Sequence, residues 1–86
     1  MIEAYKTTIL DGSMGGIQRE YKFENGYGAS VVMHNGSYGG TKGLWELAVL
    51  DSEGSLCYHT PVTQDVIGNL NDSEVQKYLT EIKELV

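Results

Sequence analysis

The chain has 86 residues, 41% of them hydrophobic, and a net charge of −6. That length supports one domain with a modest core, since such a chain buries only roughly 60–65% of its unfolded surface, and the apolar content excludes a disordered segment. The longest apolar runs fall far short of the roughly 20 residues that span a bilayer, the lone Cys57 excludes an intrachain disulfide and an all-cysteine metal site, and the acidic balance disfavours direct contact with nucleic acid, whose phosphates need a basic surface.

Residues 4–10 are rich in β-branched and aromatic types and predict a strand. Asp11 to Gly16 reads as a loop. From Ile17 to Glu24 the alternation is strict: Ile17, Arg19, Tyr21 and Phe23 point one way, and Gln18, Glu20, Lys22 and Glu24 the other. This is the pattern of a strand with one solvated face. Asn25-Gly26 predicts a two-residue hairpin turn of type I′, in which both central residues take positive φ. Tyr27 to His34 is then the returning strand.

Asn35 to Gly43 is glycine-rich and too long for a tight turn. Leu44 to Leu50 reads as a central strand, with Trp45, Leu47 and Val49 on one face and Leu44, Ala48 and Leu50, interrupted by Glu46, on the other. Trp45 is expected to anchor the core. Asp51-Ser52-Glu53-Gly54 is a turn closed by Gly54, and Ser55 to Thr60 reads as a further strand ended by Pro61. Thr63 to Leu70 reads as one or two helical turns. Asn71 followed by Glu74 resembles a capping box. Val75, Tyr78, Leu79, Ile82 and Leu85 recur at helical spacing, which predicts an amphipathic helix over 72–85. The expected fold is a single α+β domain over 1–86: an antiparallel meander of four to five strands with one C-terminal helix packed on a face.

The chemistry-bearing residues are few. Cys57 and His59 lie two apart on one expected strand and so share a face, as a thiol and its base would. A buried small hydrophobe and a strand-end imidazole explain them as well. Zinc ligation by Cys57, His59, His34 and a carboxylate lacks the closely spaced ligand pairs of structural zinc. Asp51 with Glu53 and Asp72 with Glu74 have turn and helix-start explanations. Gly36 to Gly43 lacks the Gly-Lys-Ser/Thr order of a phosphate loop and precedes a strand. No enzyme activity, cofactor or metal is therefore expected.

The negative charge is unevenly placed. Residues 1–43 balance, whereas residues 44–86 set Lys77 and Lys83 against Glu46, Asp51, Glu53, Asp65, Asp72, Glu74, Glu81 and Glu84. An acidic surface suits a basic protein partner, or simply keeps the chain soluble. The residues expected to meet a partner are Tyr38 and Lys42 in the glycine-rich loop, with Glu46, Asp51, Glu53 and Asp65. Tyrosine is prominent at interfaces. A second copy pairing through an exposed sheet face or edge is also expected to be feasible.

The segments 25–32, 37–40, 43–50, 57–58 and 60–68 (Asn-Gly-Tyr-Gly-Ala-Ser-Val-Val, Ser-Tyr-Gly-Gly, Gly-Leu-Trp-Glu-Leu-Ala-Val-Leu, Cys-Tyr and Thr-Pro-Val-Thr-Gln-Asp-Val-Ile-Gly) resemble a family of small bacteriophage- and prophage-encoded accessory proteins. The resemblance covers about two-thirds of the chain and carries no site residues. It implies a phage protein in the cytoplasm of a bacterial host cell. Its expected partner is a host protein, a nucleic-acid-binding complex included, and the expected role is inhibition of a defence system of the CRISPR or restriction kind, without membrane contact. Two other readings stand beside it: an oligomer that binds a nucleotide signal through Arg19, Lys22, Lys42 and the glycine-rich loops, and a structural or assembly protein.

Overall fold

The alternating residues around Arg19 form a strand that is paired on both sides. A computed structural model describes residues 2–10, 15–34, 42–57 and 66–85. Among these, β1 (Lys6–Leu10), β2 (Gly16–Lys22), β3 (Gly28–His34), β4 (Trp45–Leu50) and β5 (Ile67–Leu70) make one antiparallel sheet, and α1 (Asp72–Lys83) follows. Strand order is sequence order, so the sheet is a meander. The expected α+β architecture holds.

Register places side chains in rows. Arg19 lies opposite Val31, which lies opposite Leu47, while Gln18, Val32 and Glu46 form the next row on the other face. The helix packs against β3, β4 and β5. Its stripe of Val75, Leu79 and Ile82 meets Ala29, Val31, Trp45, Leu47, Val49 and Leu70, all buried. The helix starts as its sequence signature says: Asn71 Oδ1 accepts the Glu74 N–H at 2.9 Å, and Glu74 Oε1 accepts the Asn71 N–H at 2.9 Å. That satisfies two of the donors a helix leaves unpaired at its start.

Trp45 anchors the core and also ties three elements together. Its indole N–H donates to Asp72 Oδ1 at 2.8 Å, joining β4 to the first turn of α1. The Arg19 guanidinium lies 4.6 Å from the ring centroid. A cation over an indole face is attracted by the ring quadrupole, and this contact is what places a charged residue among the inward positions of β2. At the helix flank, Gln76 forms a reciprocal pair with Ile2, accepting its N–H at 2.9 Å and donating to its carbonyl at 3.2 Å.

Three expectations require correction. The residues read as helical turns near Leu70 form β5. Ile67 and Leu70 pair with Leu47 and Trp45, two residues apart on β4, although they are three apart on β5. An irregularity in the ladder absorbs the extra residue, and Asn69 takes φ +58° there. A bulge thus brings a three-residue apolar spacing, which looks helical, onto one face of a sheet.

Of the strand expected over 55–60, residues 55–57 are described, and they form only an isolated bridge from Leu56 to Leu50 beside a Cys57 N–H bond to Val49 O. The far edge of β4 is consequently shared: β5 pairs with its first half and residues 55–57 with its end.

The β2–β3 turn is not type I′. Gly26 has φ +91°, but Asn25 is not among the residues with positive φ. Gly26 N–H bonds to Phe23 O and Phe23 N–H to Tyr27 O, the pattern of a type I turn followed by a left-handed glycine. The loop between the paired Phe23 and Tyr27 holds three residues, Glu24 to Gly26, one more than a type I′ turn takes, and the Asn25 side chain reaches the helix. Its amide donates to the carbonyls of Ile82 (2.8 Å), Lys83 (3.1 Å) and Leu85 (3.0 Å) at the end of α1.

Candidate functional site

Because α1 packs on one face of β3, β4 and β5, the opposite face carries Lys6, Thr8, Gln18, Glu20, Ser30, Val32, Glu46, the buried Ala48 and Leu50 by strand alternation. The turn after β4 folds beside this face. It is built by Asp51, whose Oδ1 accepts the N–H groups of Glu53 (2.9 Å) and Ser55 (3.0 Å), with Gly54 at φ +81°. The short polar side chain does here what a backbone carbonyl does in a turn. Its tip approaches the neighbouring hairpin: a Cβ on Gly26 would lie 3.7 Å from Ser52 Cβ.

Between the turn and the hairpin lies an open cleft of about 480 Å³. Gln18, Glu20 and Ser30 form its polar floor, with Gln18 Nε2 donating to Ser30 Oγ at 3.2 Å. Leu50 and the half-exposed Leu56 supply apolar wall. Among the lining residues Glu20, Asp51 and Glu53 outnumber one cation, Lys22, whose ammonium lies 4.3 Å from the Tyr5 ring centroid, and the exposed Lys6 lies opposite Glu20 on the same face. Carboxylates therefore outnumber ammonium groups in a concavity with an apolar side, which is a surface for a cationic, partly apolar segment.

The expected contact residues are dispersed. Asp51 and Glu53 line this cleft. Glu46 shares the face opposite α1 but sits at the other end of β4, about 16 Å from Asp51 at strand rise. Lys42 is exposed and does not line the cleft, and Tyr38 and Asp65 lie outside the described residues. The sequence reading missed Glu20 as a site residue. Its signal was the alternation that puts it on the solvated face, but the turn that makes a cleft beside it has no sequence mark. Asp51 also has a turn-forming duty that occupies one of its oxygens.

The cation set suggested for a nucleotide is split. Arg19 points to the helix side and Lys22 lines the opposite cleft. Arg19 instead borders a second hollow of about 620 Å³ with Met33, Trp45, Asp72, Ser73 and Gln76, at the start of α1. There the early helix N–H of Glu74 is already capped and Asp72 adds negative charge, both of which oppose an anion. Cys57 is buried against the core, while its suggested partner His59 lies outside the described residues. Among the described residues no three His, Cys, Asp or Glu side chains form a group that could hold a metal, and no buried polar side-chain atom lacks a partner. No described helix is long and apolar enough to cross a membrane. Comparison with protein-family models, with curated proteins and with solved structures finds no match for this chain.

Proposed function

We propose that this chain is a non-enzymatic binding protein that takes a basic segment of another macromolecule against the sheet face opposite α1, centred on the cleft of Glu20, Asp51 and Glu53. One observation carries the reading: α1 packs on one face of β3, β4 and β5, and three carboxylates with Leu50 and Leu56 line the concavity on the other. Charge excess steers a cationic partner and the apolar wall holds it. The resemblance to phage accessory proteins supports a bacterial host protein as that partner, with its basic, nucleic-acid-binding surface occluded.

The test uses defined probes. Arginine- and lysine-rich peptides containing leucine are titrated into the labelled protein and amide shifts are followed by NMR. The reading expects shifts confined to 18–22, 28–30 and 50–56, weakening about tenfold or more between low and physiological salt, and abolished by Glu20→Lys with Glu53→Lys. Shifts confined to α1, or unchanged by this double reversal, refute it.

A further inference from the structure

The Asn25 side chain is held at both ends. Its two amide hydrogens are shared among the carbonyls of Ile82, Lys83 and Leu85, and its Oδ1 accepts the Tyr27 N–H at 3.0 Å. Ile82 O also accepts the Leu85 N–H at 3.1 Å, but the last carbonyls of a helix lack the i+4 donor, and a residue 57 to 60 positions away helps to close the end of α1. Yet the next residue is Gly26. An asparagine followed by glycine is the least hindered setting for attack of the following backbone nitrogen on the side-chain carbonyl, because glycine presents no Cβ.

We propose that Asn25 is a spontaneous deamidation site which the fold holds closed, and whose conversion unlatches the end of α1. This inference is independent of the binding reading. In the reaction the Gly26 nitrogen bonds to Asn25 Cγ, the Cγ–Nδ2 bond breaks, and ammonia departs carrying the former Gly26 amide proton. The resulting succinimide is hydrolysed by water, which adds hydroxyl to one ring carbonyl carbon and hydrogen to the ring nitrogen, giving aspartate or isoaspartate. In the fold the Gly26 N–H is bonded to Phe23 O at 3.1 Å, so the nucleophile is engaged. The leaving nitrogen is pinned by the helix carbonyls. Both must be released, so the reaction proceeds through local opening of the hairpin tip.

The product reverses the sign of the contact. A carboxylate has no donor for the three carbonyls, and it is ionised at neutral pH. It would face the negative end of the helix dipole, where anions are disfavoured. The apolar partners of the last turn, Ile82 and Leu85, remain, so the expected effect is local fraying.

The native protein is incubated at mildly alkaline pH, with and without urea, and conversion at residue 25 is followed by mass spectrometry with isoaspartate detection. We expect conversion roughly tenfold or more slower in the folded chain, as the opening equilibrium requires. Hydrogen exchange at the amides of Glu84 and Leu85 is compared in wild type, Asn25→Ala and Asn25→Asp, with the aspartate variant expected to be the least protected. Equal conversion rates with and without urea overturn the proposal, as does an Asn25→Asp variant protected as well as Asn25→Ala.

Discussion

The indole–carboxylate contact at the start of α1 gives the most exacting prediction. Trp45 is 5% exposed, so its N–H has little recourse to water once Asp72 is removed. A hydrogen bond to a charged acceptor contributes about 1.5–3 kcal/mol, and the exposed position of Asp72 brings the expectation to about 1.5 kcal/mol. An acidic residue in the first helical turn contributes about 0.5 kcal/mol more through the dipole. Asp72→Ala should therefore lose about 2 kcal/mol, or about 8–16 °C of melting temperature in a domain of this size. Asp72→Asn, which keeps an acceptor and loses the charge, should lose about half of that.

Trp45→Phe removes the donor and most of the surface over which Arg19 lies, so its own loss is larger. The quantity to measure is the coupling in the cycle Trp45→Phe, Asp72→Ala and the double variant, by urea denaturation followed by circular dichroism. Coupling of about 1–1.5 kcal/mol is expected, because neighbours sharing one bond are non-additive. Coupling below about 0.3 kcal/mol, within the additivity of independent sites, would show that the indole N–H is as well served by water and refute the reasoning.

Leu79 is fully buried under the sheet. Leu79→Ala should cost about 3–4 kcal/mol, a large part of the total stability expected of this chain, whereas Glu81→Ala on the exposed side should stay within about 0.5 kcal/mol; paired urea midpoints check both. A Cβ on Gly28 would run into the Tyr21 carbonyl oxygen across the β2–β3 ladder, so Gly28→Ala should cost about 1–3 kcal/mol and broaden amide signals along 21–29. A melting curve matching wild type would show that the strands separate without penalty.

Legibility in the sequence followed the range of the interactions. The β2–β3 hairpin was legible because alternation and an Asn-Gly pair are local, and the capping box of Asn71 and Glu74 spans three residues. The turn type differs because the pairing of Phe23 with Tyr27 leaves three residues in the loop, a register that the Asn-Gly pair alone does not announce, and the bonds from Asn25 to carbonyls 57 to 60 residues away have no local sign. β5 was misread because Ile67 and Leu70 carry a helical spacing, and only the bulge against Trp45 and Leu47 reconciles it with a strand. Arg19 was placed on the inward side by alternation, but its reason, the Trp45 ring, belongs to another strand. For the site, Asp51 and Glu53 were visible as turn acids, while Glu20 required knowing that the turn folds back beside β2.

The meander has a kinetic consequence. Each of the first four strands pairs with its successor in the chain, so the sheet can zip together hairpin by hairpin, and the longest connection to close is the 16 residues between β4 and β5. The reciprocal amide pair between Ile2 and Gln76 spans 74 residues and can form only after α1 has docked. It is the closing stitch of the assembly, and none of its partners belongs to the buried set of Val31, Leu47 and Val49. Exchange at the Ile2 amide should therefore be far quicker than at the centre of β3.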